Sequence, residues 1–302
     1  MANMKETLVV TGASGFIGSK IAARAVNAGR RVVNLDKRPS ANPDLDTRIC
    51  DISDAAALAE AFPPEAAAVV HMAARTSVLE SKSDPQGVFE TNLAGTQNLL
   101  ELSRRRGVMS FVLASTNAVV GETQDPYITE ASTLAPLTPY GATKAAGEML
   151  LSAYGGSYGI ACASIRLTNV YGTGMQQKDS IVPRIMRALL GGKPLEIYGD
   201  GLQWRDFVYL TDVVDAFFMA LDQGLIGPLV VGAGQSFSVR DVISAAEQAV
   251  GREIPVVWGP ARSGEMRGVR VDITRARSLG FEPRVGLVEG LGLVWEDFRH
   301  AQ

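Results

Sequence analysis

The 302-residue chain predicts an α/β fold in which a doubly wound parallel sheet is followed by a smaller C-terminal α/β lobe. One predictor is the stretch from Leu8 to Ala25, where an apolar strand signal (Leu8 to Val10) passes through Gly12, Gly15 and Gly18 into Phe16, Ile17, Ile21, Ala22 and Ala25 at helical spacing. Another is the recurrence of strand-length apolar runs at Arg31 to Asp36, Ala67 to His71 and Val108 to Ser115, with helix-compatible sequence between them. Length is the third: it suffices for one large unit with an added lobe, expected as residues 1–165 and 166–302 and expected to interleave.

Each element has a local cause. At the first strand-to-helix turn, a missing Cβ permits positive φ, lets the backbone approach a pyrophosphate and allows the helix to pack closely on the sheet. The helix N-terminus then presents N–H groups and the positive end of its dipole to the phosphates. Such a turn alone would suit many α/β proteins. Asp36 sharpens it, because it ends the second strand 18 positions after Gly18, where a carboxylate can accept both hydroxyls of an adenosine ribose. The cofactor expected is therefore NAD. Asp36 would repel a 2′-phosphate, although Lys37 and Arg38 keep NADP open, and a strand-end aspartate facing water is the alternative.

Past a turn carrying Pro39 and Pro43, Arg48 to Asp51 reads as a short strand and Asp54 to Phe62 as an alanine-rich helix. Asp51 could reach the adenine amine, or Ser53 or Asp54 could simply cap the helix. Ala73 and Ala74, after the next strand, suit either close passage beneath a cofactor or tight packing. Pro85 to Arg106 is expected as one long amphipathic helix, with Val88, Phe89, Leu93, Leu99, Leu100 and Leu102 apolar, Asn92 and Asn98 interspersed, and an exposed apolar remainder suited to a homodimer. Ser115 and Thr116 place hydroxyls at a strand's carboxyl end, where open α/β sheets put ligands. Pro139 opens a helix to about Tyr154, on which Tyr140 and Lys144 share a face one turn apart. The ammonium favours phenolate, so a phenol that ordinarily titrates near about pH 10 would become a usable base, with the Thr116 hydroxyl on the same substrate oxygen. Asp212 to Leu221 and Val239 to Val250 read as further helices.

Composition limits the alternatives. A net charge of -3 without a basic stripe argues against nucleic acid and anionic membrane partners. Cys50 and Cys162 read as packing residues, and neither His71 nor His300 has a partner at metal-ligand spacing, so no metal is expected. The absence of a signal-like N-terminus or a membrane-length apolar run leads to the expectation of a cytoplasmic protein.

The quoted segments together resemble the extended short-chain dehydrogenase/reductase family, in its branch of NAD-dependent epimerases and dehydratases acting on nucleotide sugars. The resemblance spans most of residues 7 to 295 and rests on Thr-Gly-Ala-Ser-Gly-Phe-Ile-Gly (11–18), His-Met-Ala-Ala (71–74), Asn-Leu-Ala-Gly-Thr (92–96), Ser-Thr-Asn-Ala-Val-Val-Gly (115–121) and Tyr-Gly-Ala-Thr-Lys (140–144). It implies a Rossmann sheet and a catalytic triad of Thr116, Tyr140 and Lys144. The cofactor contacts it implies are Gly12, Gly15, Phe16, Ile17, Gly18, Asp36, Lys37, Asp51, Ile52, Ala73, Ala74, Asn92, Tyr140 and Lys144. Similar substrate-lobe segments at 166–172, 199–208 and 262–265 imply that Asn169 touches the sugar or diphosphate and that Arg205 and Arg262 bind the diphosphate of a nucleoside diphosphate sugar. The alternative for each arginine is a surface ion pair, for Arg205 with Asp200 or Asp206.

Two departures bear on the reaction. Relatives that eliminate water or carbon dioxide place acids just after the strand-end threonine, whereas this chain has Asn117 and Ala118. Val120 stands where many relatives have tyrosine. The reading that results is a 4-epimerase, with a nucleotide-sugar dehydrogenase or 4-ketoreductase as the competing enzyme and a non-catalytic dinucleotide sensor as the competing class.

Overall fold

The computed structural model describes residues 7–261, 268 and 270–301. In chain order its elements are β1 (Thr7–Thr11), α1 (Phe16–Asn27), β2 (Val32–Asp36), β3 (Asp46–Ile49), α2 (Ala55–Ala61), β4 (Ala66–His71), α3 (Val78–Ser83), α4 (Pro85–Phe89), a π turn (Glu90–Ala94), α5 (Gly95–Arg106), β5 (Ser110–Thr116), a 3-10 turn (Asn117–Val119), α6 (Pro139–Tyr158), β6 (Ala161–Leu167) and β7 (Asn169–Tyr171). They continue with α7 (Ile181–Leu189), β8 (Leu195–Tyr198), β9 (Trp204–Tyr209), α8 (Leu210–Asp222), β10 (Gly227–Val231), β11 (Ser236–Ser238), α9 (Val239–Val250), β12 (Val256–Gly259), α10 (Thr274–Ser278) and α11 (Leu287–His300). Two compact units result, one of residues up to 123, 130–167 and 214–229, the other of 124–129, 168–213 and 230 onward. Among the described residues no helix is long and apolar enough to cross a membrane.

A seven-stranded sheet runs in the order β10-β6-β5-β4-β1-β2-β3, and the pairs from β6 to β3 are all parallel. Helices cover both faces of such a sheet, so its strands read as continuous apolar runs; Leu8, Val9, Val10, Val33, Leu35, Val69, Val70, Phe111, Val112 and Leu113 are all at most 2% exposed. Each buried leucine, valine or phenylalanine contributes about 2 kcal/mol to the core. The winding reverses between β1 and β4, and their carboxyl ends are where a ligand crevice forms. In the smaller unit, β11-β9-β7 form one sheet and β12-β8 another.

Three elements differ from the sequence reading for identifiable reasons. The short strand expected at 48–51 ends at Ile49, because the Asp51 carboxylate turns the chain by accepting the Ser53 N–H at 2.9 Å and Asp54 then caps α2 through the N–H groups of Ala56 and Ala57. The single helix expected over 85–106 carries the π turn in its middle. The helix from Pro139 passes its expected end at Tyr154, tolerates Gly155 and Gly156, and stops at Gly159, whose φ of 74° breaks the ladder.

The glycine turn is a packing solution. Gly12 has φ +73°, and a Cβ there would lie 2.7 Å from the Ala73 amide nitrogen; a Cβ on Gly18 would lie 2.3 Å from the Gly12 carbonyl oxygen. Both obstacles are backbone, which cannot swing aside. Gly18→Ala should therefore cost about 2 kcal/mol or more. Gly156→Ala, where an added Cβ meets nothing within 4 Å, should instead stabilise by about 0.5 kcal/mol through the unfolded chain. Urea denaturation of the two variants checks both signs, and a neutral Gly18→Ala would show that the turn is not close-packed.

Candidate active site

The first half of the site is built on the strand ends of the larger unit. Gly15 stands at the N-cap of α1 with no side chain of its own to cap the helix, and the first turn carries no acid, so the positive end of the dipole is not offset by a carboxylate of that turn. The loop before it is held from the second strand. Buried Asn34 accepts the Ala13 N–H at 3.0 Å, and Asp36 accepts the Ser14 and Arg38 N–H groups, each at 3.0 Å. Asp36 thus stands at the end of β2 beside the glycine turn, where its sequence position implied. Lys37 is paired with Asp51 at 2.6 Å, and that ion pair together with the Ser53 bonds lowers the Asp51 pKa although burial opposes it. Both residues therefore already have an internal partner.

Behind the turn lies a hydroxyl and imidazole chain that sequence reasoning missed. The Thr11 hydroxyl oxygen accepts the Met72 and Ala73 N–H groups at 3.2 and 3.1 Å, which leaves its proton for His71 Nδ1 at 2.7 Å. Thr96 donates to the Asn92 carbonyl at 2.5 Å, so it accepts from His71 Nε2–H at 2.9 Å. His71 is thereby fixed as the neutral Nε2–H tautomer. Burial, with a smaller effect from the Lys144 charge, pushes its pKa down to about 3. The π turn places Asn92 inward, where it accepts the Arg75 N–H at 2.8 Å and donates to the Arg75 carbonyl at 3.0 Å and to Thr143 at 3.3 Å. Thr143 in turn donates to the Tyr140 carbonyl at 2.9 Å. The chain therefore connects the glycine turn to the helix bearing Tyr140.

Thr116, Tyr140 and Lys144 come together on β5 and α6. Thr138 caps α6 through the Gly141 N–H, and Gly141 lets the helix start press against the Ala118 carbonyl, which an added Cβ would meet at 2.6 Å. Thr116 accepts the Ala118 N–H at 3.2 Å and hydrogen-bonds the Tyr140 phenol. Lys144, 3% exposed, donates from Nζ to the Ala114 carbonyl at 2.9 Å. Burial pulls the Lys144 pKa down to about 8, with Glu148 opposing, so the side chain is still protonated at neutral pH.

The phenol differs from its expected state. In the protein alone burial pushes Tyr140 up to about 12, and the Thr116 hydrogen bond only partly opposes this. Lys144 has turned its proton toward a backbone carbonyl, so its charge does not by itself produce a phenolate. Ala118 brings no side-chain acid to the strand end. Val120 is 1% exposed and belongs to the core.

In the smaller unit, Asn169 and Arg205 lie on paired strands β7 and β9. Asn169 is exposed and donates from Nδ2 to the Asp206 carbonyl at 3.0 Å, while Arg205 is half-buried and donates to the Trp204 carbonyl at 2.8 Å. Asp206 has other duties: its carboxylate accepts from Thr168 at 2.8 Å, Ala233 N–H at 2.8 Å and Gln235 N–H at 3.1 Å. Arg262 lies outside the described residues.

A family model described as NAD dependent epimerase/dehydratase family matches residues 8–232. UDP-glucose 4-epimerase of Mycolicibacterium smegmatis is 37% identical over 310 aligned positions covering 97% of this chain and 98% of its own. Among solved structures, UDP-glucose 4-epimerase of Thermotoga maritima with UDP-glucose superposes with a TM-score of 0.93 at 32% identity, over 98% of this chain and 99% of that one. The Thermus thermophilus UDP-glucose 4-epimerase complex with NAD gives a TM-score of 0.91 at 34% identity, over 98% and 100% of the two chains. With the family model covering residues 8–232, and with relatives and structures matching over nearly the whole length and the whole fold, the chain belongs to the NAD-dependent epimerase/dehydratase family.

Proposed function

We propose that this protein is an NAD-dependent nucleotide-sugar 4-epimerase acting on a nucleoside diphosphate hexose. The observation that carries the reading is the union of Thr116, Tyr140 and Lys144 at one strand end with no acid at Ala118. The relatives above support it, each being a UDP-glucose 4-epimerase by name.

The residues fit NAD. The glycine turn forms a cradle that a Cβ would fill at Gly12 or Gly18, the uncapped start of α1 suits a pyrophosphate, and Asp36 suits ribose hydroxyls. Phe16, Ile17, Ile52, Ala73, Ala74 and Asn92 complete the proposed contacts. NAD, when bound, would supply the acceptor for the hydride of the sugar carbon and would give that hydride back to the turned ketone, and its oxidised form would add a positive charge to the site. Lys144 adds a second positive charge one helical turn away, and two cations can bring the half-buried phenol of Tyr140 within reach of neutrality. Tyr140 then takes the C4 hydroxyl proton while Thr116 holds the same oxygen, and it returns the proton after the 4-keto sugar has turned over. Elimination of water needs a proton donor at the leaving hydroxyl, and Ala118 supplies none.

Arg205 and Asn169 are proposed to bind the diphosphate and sugar. The protein is further proposed to be cytoplasmic, which the buried free thiols Cys50 and Cys162 support, and homodimeric through the apolar residues Leu79, Phe89 and Met149 exposed on α3, α4 and α6.

Four measurements test these statements. Calorimetry should show NAD preferred over NADP, because Asp36 repels a 2′-phosphate and Lys37 is engaged by Asp51; Arg205→Ala should weaken nucleoside diphosphate sugar binding about tenfold or more and leave NAD binding unchanged. Equal NADP affinity would overturn the first statement, and undiminished sugar nucleotide affinity the second. Sedimentation should report a dimer that Phe89→Glu with Met149→Glu dissociates; a monomeric parent protein refutes that interface. For the reaction itself, Tyr140→Phe should fold, bind NAD and lose about a thousandfold or more in turnover. A deuterium at C4 should be found at C4 of the inverted product in the presence of excess unlabelled NADH. Accumulation of free labelled NADH would identify a dehydrogenase, and loss of water from the sugar would identify a dehydratase.

A further inference from the structure

The inner face of α6 carries one more ionisable residue in step with the proposed catalytic pair. Tyr140, Lys144 and Glu148 follow at intervals of four, and each meets a different residue of β5: Tyr140 the Thr116 hydroxyl, Lys144 the Ala114 carbonyl at 2.9 Å, Glu148 the Ser115 hydroxyl at 2.5 Å. Three successive helical turns are thus fastened to three successive strand residues. Glu148 is anchored from the next strand as well. Arg166 of β6, directly across the ladder from Ser115, donates to Glu148 through Nε at 3.1 Å and through Nη2 at 2.8 Å, while its Nη1 donates to the Glu130 carbonyl at 3.1 Å. The pair is buried, with 3% and 7% of the two side chains exposed.

A buried pair of this kind is a weak source of stability, since apolar residues of similar volume often do as well. Its value lies in what else it touches. We propose that Glu148 is a positioning residue of the active site: locked by Arg166 and Ser115, its carboxylate stabilises the buried positive charge of Lys144 and holds β5 so that Thr116 meets Tyr140. The proposal rests on the reading of Tyr140 and Lys144 given above.

The surroundings of Lys144 leave Glu148 as its compensating charge. Among the described residues, the ionisable groups coupled to it are Glu148, one turn further along its own helix, and His71 of β4, which is neutral; Tyr140 lies one turn before it, and Arg166 of β6 is bonded to Glu148. The carboxylates of the other helices packed on α6 have partners of their own: Glu80 of α3 pairs with Arg75, Glu101 of α5 with Arg104, Arg105 and the Tyr154 hydroxyl further along α6, and Glu90 of the π turn with Gln86 at the surface. Burial lowers the Lys144 pKa and Glu148 raises it. Removing the carboxylate charge must let the ammonium lose its proton at lower pH, and the active site then loses its fixed cation from the alkaline side.

The test is a titration of Lys144 by NMR of protein labelled at lysine Cε, with the signal assigned from Lys144→Arg. The midpoint should lie near 8 in the parent protein and fall by about one pH unit or more in Glu148→Gln, which keeps the size and one acceptor oxygen for Ser115 or Arg166 but removes the charge. The alkaline limb of kcat/KM should move down with it, and Glu148→Asp, which retains the charge, should restore most of the shift. Ser115→Ala separates the two roles: the midpoint should stay while kcat falls several-fold. Should Glu148→Gln fail to fold with the Arg166 guanidinium deprived of its carboxylate, Glu148→Gln with Arg166→Leu removes both charges and should show a smaller fall in midpoint, because the Arg166 cation that also disfavours the ammonium is gone. An unchanged Lys144 midpoint in the folded variant overturns the proposal. A shifted midpoint in a protein that turns over no nucleotide sugar leaves this inference standing and refutes the proposed activity instead.

Discussion

A cation inside a protein core has to be answered by the protein, because water cannot reach it. Lys144 imposes that demand here, and much of the larger unit is arranged around meeting it. A strand has to pass where its Ala114 carbonyl can accept the ammonium, a carboxylate has to be buried one turn further along the helix, and that carboxylate needs a guanidinium of its own. The parallel pairing of β5 with β6 supplies the last, since Ser115 and Arg166 are ladder partners and present their side chains to the same helix. Chemistry and fold are therefore not separable on this face of the sheet.

The opposite solution operates at the nucleotide edge. There the charges are tied down, Asp36 by the Ser14 and Arg38 N–H groups and Lys37 by Asp51, and the protein works by proximity: backbone against backbone at Gly12 and Ala73, a helix start with no acid in its first turn, and neutral hydroxyl and imidazole groups with matched donors and acceptors. His71 contributes shape and hydrogen bonds without a titrating charge. An anionic ligand beside it would thus meet the fixed field of a helix dipole, and the local field would not change with ordinary shifts in pH.

How much of this was legible in the sequence follows from the range of the interactions involved. Local periodicity exposed the strands, the glycine turn and the shared face of Tyr140 and Lys144, because each is written within one or two turns of chain. Asp36 was legible from its spacing alone. What the sequence concealed is long-range: Glu148 and Arg166 look like ordinary surface charges until β6 is laid beside β5, and Thr11, His71 and Thr96 are separated by 60 and 25 positions before they share one hydrogen-bond chain. The state of the phenol was also out of reach, since burial of Tyr140 depends on the whole surrounding unit, and burial outweighed the local charge from which its basicity had been inferred.

The π turn at Glu90–Ala94 has a consequence for how this chain can change over evolution. Such a turn is equivalent to one additional residue let into a continuous helix, and each residue of an α-helix advances about 100° around the axis. Deleting one residue anywhere from Glu90 to Ala94 would close the bulge into an ordinary helix and take away the local geometry that turns Asn92 toward Arg75 and Thr143. The segment can therefore exchange side chains far more freely than it can change length. Lineages of this fold should drift here by substitution while gaps in their alignments gather in the loops.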